Sequence, residues 1–261
     1  NIIKYFTTTM TYIIRICATK IMNSKTTFRN FIIQKDKNLS GTYTLIDQNL
    51  ALQKKEILLL SIDPFFLNIA AKYLNTIPIL TQANVLLSLP SMKKENNPSE
   101  LNSYAQLFHQ DNEYFSFLKI FIYLTDVGSN NGPHVYIPKT HRNQLIDNGI
   151  PFSQRVFDHK IKEIYENYKI KNVYGKSGTI LFGDTHCSHK GTPLKEGYRL
   201  MLQFEYASTL YGSETPPFEL DMPTINNPRV FENFNKLRSQ RFKSQNKKIS
   251  YFSRLKSKIV E

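Results

Sequence analysis

The stretch that decides the fold is residues 106–125, QLFHQDNEYFSFLKIFIYLT. Residues 117–124 are apolar at every position except Lys119, and a short apolar run of this length favours a buried β-strand. His109 and Asp111 stand two residues apart, so in an extended strand both side chains point to the same side. The stretch therefore predicts a β-sheet that carries an imidazole and a carboxylate on one face.

Short apolar runs divided by turn residues continue through the central part of the chain. They predict strands at 104–109, 117–125, 133–137, 178–182 and 199–207. A helix capped by Asp63 and begun by Pro64 is predicted before them, and a helical insert is predicted at about 153–169. Residues 90–103 are rich in Pro, Ser, Asn and charge and predict a loop. The pattern predicts a mainly β fold, a sandwich or barrel with flanking helices.

The positive charge of the chain lies at its two ends. The 261 residues include 34 Lys and Arg against 21 Asp and Glu, a net charge of +13. Residues 1–40 carry +6 and residues 229–261 carry +8, whereas residues 41–228 carry −1. We therefore predict a basic N-terminal extension (1–40), a near-neutral domain (41–228) with an insert at about 142–172, and a basic tail (229–261). The tails are either solvated extensions or contacts for nucleic acid or an anionic surface.

Composition excludes several classes of protein. Two cysteines, Cys17 and Cys187, cannot build a disulfide framework, so we expect a reducing compartment and a cytoplasmic protein. No apolar run reaches the ~18 residues that a membrane span needs, because residues such as Asp63 and Pro64 interrupt each candidate. A hydrophobic content of 41% argues against a wholly disordered chain.

A second histidine cluster, HCSH at residues 186–189, lies between two predicted strands. One of its histidines, His186 or His189, can join His109 and Asp111 to complete a two-histidine, one-carboxylate iron site. Such a site leaves three coordination positions open, which a bidentate oxo-acid and O₂ can occupy. The spacing therefore points to non-haem iron oxygenase chemistry.

Two basic side chains are candidates to bind the oxo-acid. Arg199 offers a guanidinium for the far carboxylate, but it shares a strand face with Gln203 and Glu205, and alternation leaves open whether that face meets a ligand or solvent. Lys119 interrupts an apolar run, where a lysine needs an anionic partner. It pairs with a bound carboxylate or lies on an edge strand.

Four motifs in order resemble the phytanoyl-CoA dioxygenase family over roughly residues 60–210. They are Gln106-x-x-His109-x-Asp111, the run at 117–127, the segment from Asn131-Gly132-Pro133 to His141-Arg142, and His189-Lys190-Gly191-Thr192-Pro193 followed by Gly197-Tyr198-Arg199. The resemblance implies a double-stranded β-helix (a cupin-like jelly roll) that uses Fe(II), 2-oxoglutarate and O₂. It also implies hydroxylation of a C–H bond in a small organic substrate, with release of succinate and CO₂.

The resemblance assigns roles to individual residues. His109, Asp111 and His189 match the iron ligands, and the motif context favours His189 over His186. Arg199 matches the carboxylate-binding arginine and Gln106 a glutamine that contacts the oxo-acid, and we place Lys119 with them. Strict alternation puts Gln106 on the opposite face from His109, so its role requires a bulge or a strand end.

Further expectations concern the pocket and the reaction type. Thr192 is assigned to the pocket, and His134 either lines it or is a buried structural histidine. Related halogenases have a small residue at the place of Asp111, so the carboxylate favours hydroxylation. Two other functions stay open at this point, a non-catalytic jelly-roll binding protein and a nucleic-acid-associated oxygenase that uses the basic tail.

Overall fold

The computed structural model describes residues 41–46, 48–90, 105–141, 144–151, 154–167, 169–211, 218–220 and 242–244. The strands are β1 Gly41–Ile46, β2 Ile79–Leu89, β3 Phe117–Tyr123, β4 His134–Tyr136, β5 Lys171–Val173, β6 Ile180–Gly183, β7 His189–Gly191, β8 Arg199–Ala207, β9 Phe218–Leu220 and β10 Phe242–Ser244. The helices are α1 Gln48–Leu52, α2 Lys55–Ser61, α3 Pro64–Leu74, α4 Gln144–Asp147 and α5 Asp158–Ile164.

Eight of the strands form two antiparallel sheets, and the chain passes back and forth between them. The large sheet has the order β1-β2-β8-β3-β6 and the small sheet the order β5-β4-β7. From β3 onward the chain passes to the small sheet for β4 and β5, returns for β6, crosses for β7 and returns for β8. This alternation is that of a double-stranded β-helix, and the predicted fold class is confirmed. A separate parallel pair joins β9 and β10.

Helices α1 to α3 cover one face of the large sheet. Asp63 accepts a hydrogen bond from the Phe65 amide at 2.8 Å and Pro64 begins α3, as the cap signal predicts. Asn75 ends α3 in the left-handed conformation. Phe66 and Leu67 are buried against Leu202 and Phe204 of β8 in the main apolar core.

The stretch Lys55–Leu74 has a mean hydropathy of 1.5, and by length and composition it is one candidate membrane span among the described residues. This differs from the sequence expectation, which excluded every such stretch. Half of it is buried inside the protein, as in many core helices, and Asp63 separates α2 from α3. Length and composition are therefore weak evidence for a membrane-spanning helix here.

Both faces of the central strands are buried, which explains their continuous apolar runs. All seven residues of β3 and all nine of β8 are buried. In β8, Leu200, Leu202, Phe204 and Tyr206 face the helices. The alternate residues Arg199, Met201, Gln203 and Glu205 are buried on the other face, so the solvent-facing alternative for this face is wrong.

Strand β2 is the longest strand described, and the sequence pattern missed it. Polar residues such as Gln82 and Ser88 interrupt its apolar pattern, as they would in a loop. In the structure they lie on the inner face of the sheet, opposite polar residues of β8. Gln203 donates to Gln82 at 2.6 Å, Thr81 donates to Glu205 Oε1 at 2.7 Å, and Arg199 donates to Ser88 at 2.9 Å. Polar residues that hydrogen-bond each other across a sheet can be buried at a low cost in free energy. The sequence of β2 therefore lacks the alternation of apolar and polar residues that would have predicted a strand.

Other boundaries also differ from those predicted. The predicted strand at 104–109 is reduced to isolated bridges at Phe108 and His109, while 101–104 lie outside the described residues. The insert forms α4 and α5, shorter than the predicted helix, and packs its apolar side chains against Phe108 and Val135. The loop at 91–103 and both basic extensions, apart from β10, lie outside the described residues, so the predicted domain limits stay predictions.

Candidate metal centre

Backbone pairing brings the first and last predicted ligands together. His109 and His189, the first residue of β7, form an antiparallel bridge in which each amide donates to the other's carbonyl, at 2.9 and 3.0 Å. Directly opposite residues in such a pair project to the same face. The two imidazole centroids are 4.2 Å apart. The Asp111 amide donates to Thr185 O at 2.9 Å, which holds the carboxylate beside them.

The three side chains converge on one point through their free ligand atoms. Asp111 Oδ1 lies 3.5 Å from His109 Nε2, and its Oδ2 lies 3.4 Å from His189 Nε2. His109 Nδ1 donates to Leu107 O at 2.8 Å, and His189 Nδ1 donates to Cys187 O at 3.0 Å. Because each Nδ1 carries the proton, each Nε2 lone pair faces the centre. The donor set, two imidazole nitrogens and one carboxylate within 4.8 Å, fits Fe(II).

Electrostatics keep His109 and Asp111 in the protonation state that a metal requires. Burial, followed by the neighbouring His189, lowers the pKa of His109 to about 3, so its imidazole is neutral. Burial raises the pKa of Asp111, but the contact with His189 and the charge of Lys119 outweigh burial and hold that pKa well below its usual range. A neutral His109 imidazole and an ionised Asp111 carboxylate can bind a cation without first releasing protons.

Lys119 is buried beside the carboxylate ligand. Its Nζ lies 2.6 Å from Asp111 Oδ2, 3.0 Å from Glu113 Oε1 and 3.4 Å from Glu205 Oε2. Burial lowers its pKa, but these three carboxylates outweigh burial and raise the pKa above its usual value. Its strand β3 lies between β8 and β6, so the edge-strand alternative is wrong. The sequence predicted an anionic partner for this lysine, and the structure provides three carboxylates of the protein itself.

Arg199 lies on the inner face at the start of β8. Its Nη1 donates to Gly132 O and its Nη2 donates to Ser88 Oγ at 2.9 Å. Its buried Nε has no hydrogen-bond partner among the described residues. A buried guanidinium with an unused donor and no carboxylate contact in these ranges fits the distal carboxylate of 2-oxoglutarate. The sequence pattern gave no sign of Ser88, because its link to Arg199 depends on the pairing of β2 with β8.

Three further predicted residues lie near the ligands or the strand that carries them. Gln106 is buried outside any strand and follows Ala105, whose φ is +55°, so the strand end that its role required is present. The His134 ring stacks on His189 at 5.6 Å and is buried. Thr192 donates from Oγ1 to Pro133 O at 2.8 Å.

His186 points away from the cluster. Its Nδ1 lies 2.8 Å from Asp184 Oδ1, and its Nε2 lies 3.2 Å from the Tyr114 carbonyl. Asp184 also accepts a hydrogen bond from Tyr73 and lies 3.3 Å from His141 Nε2. Both nitrogens of His186 are therefore occupied, and the structure brings His189 rather than His186 to Asp111.

A cavity of about 230 Å³ adjoins the metal centre between β4 and β6. Its lining includes His134, Tyr136, Leu181, Asp184 and Cys187. Burial raises the pKa of the Cys187 thiol to about 12, so this cysteine stays protonated and inert, as the sequence indicates. The contact of the His134 ring with His189 connects the cavity wall to the candidate metal ligands.

A family model described as phytanoyl-CoA dioxygenase (PhyH) matches residues 46–197, which is more than half of the chain. The chain belongs to the phytanoyl-CoA dioxygenase family. It is thus an enzyme of a non-haem oxygenase family whose cofactors are Fe(II), 2-oxoglutarate and O₂. The non-catalytic alternative is wrong.

Solved structures with similarity to this dioxygenase are distant. AviO1 from Streptomyces viridochromogenes is 16% identical with a TM-score of 0.49, and the match covers 80% of this chain and 87% of AviO1. HygX from Streptomyces hygroscopicus, crystallised with nickel, 2-oxoglutarate and hygromycin B, is 19% identical with a TM-score of 0.44, covering 74% and 80%. No curated protein matches the sequence.

Proposed function

We propose that this family member hydroxylates a C–H bond of a small organic substrate and converts 2-oxoglutarate to succinate and CO₂. The observation that carries the proposal is the convergence of His109 Nε2, His189 Nε2 and the Asp111 carboxylate within 4.8 Å. In the proposal these three residues hold Fe(II). Three ligands on one side of a metal leave the opposite side open for the oxo-acid and O₂.

The protein residues have separate tasks in this reaction. Bound Fe(II) would activate O₂, the oxidant: one oxygen atom would enter the C–H bond and the other would enter succinate, with the oxo-acid supplying two electrons as it loses CO₂. Arg199 holds the distal carboxylate of the oxo-acid through its fixed guanidinium. Gln106 and Lys119 complete the oxo-acid site, since Lys119 places a positive charge 2.6 Å from a ligand oxygen. Asp111 keeps a coordination position that a halide would otherwise occupy, which favours hydroxylation.

The substrate side of the proposal rests on the cavity beside the metal centre. Its volume, about 230 Å³, is below the ~300–1,000 Å³ of most ligand pockets, which favours a small substrate over a large one. His134 lines it and lies next to His189, and Thr192 lies on the adjoining segment. No described residue favours nucleic acid as the partner. A cytoplasmic location stays a prediction. The free, buried Cys187 is consistent with it.

The metal assignment is tested by comparing two histidines of one segment. Under anaerobic conditions we expect the full-length protein to form the Fe(II)–2-oxoglutarate charge-transfer band. His189→Ala should lose this band because it removes one of three ligands. The matched variant His186→Ala should keep it, since His186 contacts Asp184 and Tyr114. Loss of the band in His186→Ala alone would overturn the assignment.

The reaction type is tested with substrate present. Incubation of the loaded enzyme with host metabolite extract should produce a compound with one added oxygen atom, detected by mass spectrometry together with succinate. Omission of iron or 2-oxoglutarate should remove both products. Succinate formation coupled to a substrate change without an added oxygen would contradict hydroxylation while leaving the cofactor assignment intact.

A further inference from the structure

The insert brings a second arginine, Arg155, to the metal centre. Phe108 and Val156 form an antiparallel bridge in which the Phe108 amide donates to Val156 O at 3.1 Å and the Val156 amide donates to Phe108 O at 2.8 Å. The next pair along this bridge is His109 with Arg155. In antiparallel pairing such opposite residues project to the same face and their side chains lie close together.

Arg155 therefore lies in one line across the paired strands with two candidate ligands, His189 and His109. His109 pairs with His189 on one side and faces Arg155 on the other. The alternate residues Phe108 and Val156 turn to the opposite face, where they are buried in the apolar cluster of the insert. This burial fixes the orientation of the bridge, so the Arg155 side chain is directed to the face that carries the metal ligands.

The guanidinium of Arg155 has an unused donor in this position. Its Nη1 is buried and has no hydrogen-bond partner among the described residues. Burial lowers the pKa of Arg155, and the charges of Asp111 and Glu113 act in the opposite direction, so both carboxylates are within electrostatic range. Lys119 Nζ contacts one oxygen of each, at 2.6 Å from Asp111 Oδ2 and 3.0 Å from Glu113 Oε1. Arg155 as a whole is half-buried, but a buried N–H without a partner costs free energy until an acceptor such as an anion binds it.

The two arginines stand on different parts of the fold. Arg199 belongs to β8 of the large sheet and contacts Gly132 and Ser88. Arg155 belongs to the insert and lies opposite His109, outside the large sheet. The proposed function uses Arg199 for the distal carboxylate of the oxo-acid. Arg155 is then available for a second anion beside His109.

We propose that Arg155 binds an oxyanion of the organic substrate, a carboxylate or a phosphate, and so selects anionic substrates. The inference rests on the proposed function, because it takes the metal and oxo-acid positions from it. Arg155 is a specificity-determining residue in this view. Loss of one charge-assisted hydrogen bond should weaken binding of the anion by about 10–100-fold.

The test uses the full-length protein loaded with Mn(II) and 2-oxoglutarate, with inorganic phosphate and acetate as probes. Paramagnetic relaxation of the ³¹P and ¹³C signals reports binding of either anion near the metal. We expect at least one anion to bind the wild type. Arg155→Gln should weaken that binding by about tenfold or more, whereas Arg155→Lys should retain part of it. The control Lys195→Gln, which removes an exposed charge elsewhere, should bind like the wild type.

The outcomes separate this inference from the proposed function. If the wild type forms no Fe(II)–2-oxoglutarate band, the proposed function fails. If the band forms but neither anion binds, or if Arg155→Gln binds the anion as well as the wild type, only the inference is overturned. If Arg155→Gln loses the band, Arg155 serves the oxo-acid and not the substrate. A normal band with lost anion binding supports the inference.

Discussion

Both candidate histidine ligands use Nδ1 to bind the carbonyl of the residue two positions earlier, Leu107 for His109 and Cys187 for His189. The third histidine of the region, His186, uses both nitrogens for Asp184 and the Tyr114 carbonyl. His189 is thus a candidate ligand because its Nε2 is left to face the metal centre. His186, three residues earlier, has no ring nitrogen left for a metal. A hydrogen bond on Nδ1 fixes the tautomer and directs Nε2 at the metal.

At the residue scale, Asp111→Ala tests the carboxylate ligand. This change removes the oxygens that face both Nε2 atoms, so we expect Fe(II) affinity to fall by at least about 100-fold, the upper range for loss of an outer-shell partner. Hydroxylation should be abolished. Equilibrium dialysis of Fe(II) and succinate formation measure the two effects.

The matched control is Glu113→Ala, which removes another carboxylate from the same lysine. Glu113 Oε1 lies 3.0 Å from Lys119 Nζ, and Glu113 is not part of the three-residue ligand group. Iron affinity should stay close to that of the wild type. Full activity of Asp111→Ala, or equal loss in both variants, would contradict the ligand assignment.

At the element scale, the inner faces of β2 and β8 form a polar ladder within a sheet whose outer face is apolar. Arg199 occupies one end of this ladder beside Ser88, and Glu205 the other beside Thr81. The loop before β4 closes the arginine end, since Gly132 O accepts a hydrogen bond from Arg199. Two strands and one loop therefore hold the guanidinium in place.

Gly132→Ala tests this loop. Gly132 has a φ of +69°, and an added Cβ would lie 2.4 Å from Leu194 Cδ1 and 2.7 Å from Thr192 O. We expect unfolding free energy to fall by more than the roughly 1–2 kcal/mol of left-handed strain alone, because the Thr192 carbonyl is backbone. Affinity for 2-oxoglutarate should fall as well. Urea denaturation and titration of the charge-transfer band measure these changes.

Gly149→Ala separates strain from collision. Gly149 has a φ of +73°, but nothing lies within 4 Å of an added Cβ. This variant should lose only the conformational part, about 1–2 kcal/mol, and bind 2-oxoglutarate normally. Equal destabilisation of both variants, or unchanged affinity in Gly132→Ala, would show that the loop does not position Arg199.

At the scale of the whole molecule, the interior holds both charged and neutral titratable side chains. Lys119 and Asp111 are charged and paired, whereas His109 and His134 are held neutral. Burial, then the nearby His189, lowers the pKa of both histidines, to about 3 for His109 and well below the usual value for His134. The folded protein without metal thus binds these two protons less readily than the unfolded chain does.

This difference predicts how stability depends on pH. Each histidine takes up a proton on unfolding once the pH is below its unfolded pKa of about 6.5, so stability should decline as pH falls from about 6.5. The decline should approach about 1.4 kcal/mol per pH unit for each histidine. Urea denaturation of the metal-free protein between pH 7 and pH 5 measures it.

His134→Gln provides the comparison for this dependence. Of the two histidines His109 and His134, it removes the one that lies outside the proposed ligand set, and the slope below about pH 6.5 should decrease by up to ~1.4 kcal/mol per pH unit. Fe(II) in excess should oppose acid destabilisation in both proteins, because the metal binds the neutral imidazoles. A stability that is constant or rises as pH falls from 6.5 to 5 would refute the prediction.

Much of the fold and the ligand set could be predicted because their signals are local. The apolar run of β3, the cap of α3 and the alternation in β8 follow from backbone periodicity, and the motifs at His109, Asp111 and His189 follow from order and spacing. Sequence by itself thus determined the family, the mainly β architecture and the residues to consider for iron.

Tertiary structure decided what depends on contacts between distant segments. Pairing of β2 with β8 makes a polar stretch into a strand and gives Arg199 its partner Ser88, 111 residues away. Pairing of β3 with β8 sets Glu205 beside Lys119, and contacts with Asp184 and Tyr114 turn His186 away from Asp111. The bridge from Phe108 to Val156 brings Arg155 to the metal centre. Periodicity states which face a side chain occupies, but only the packing of sheets and insert determines what that face meets.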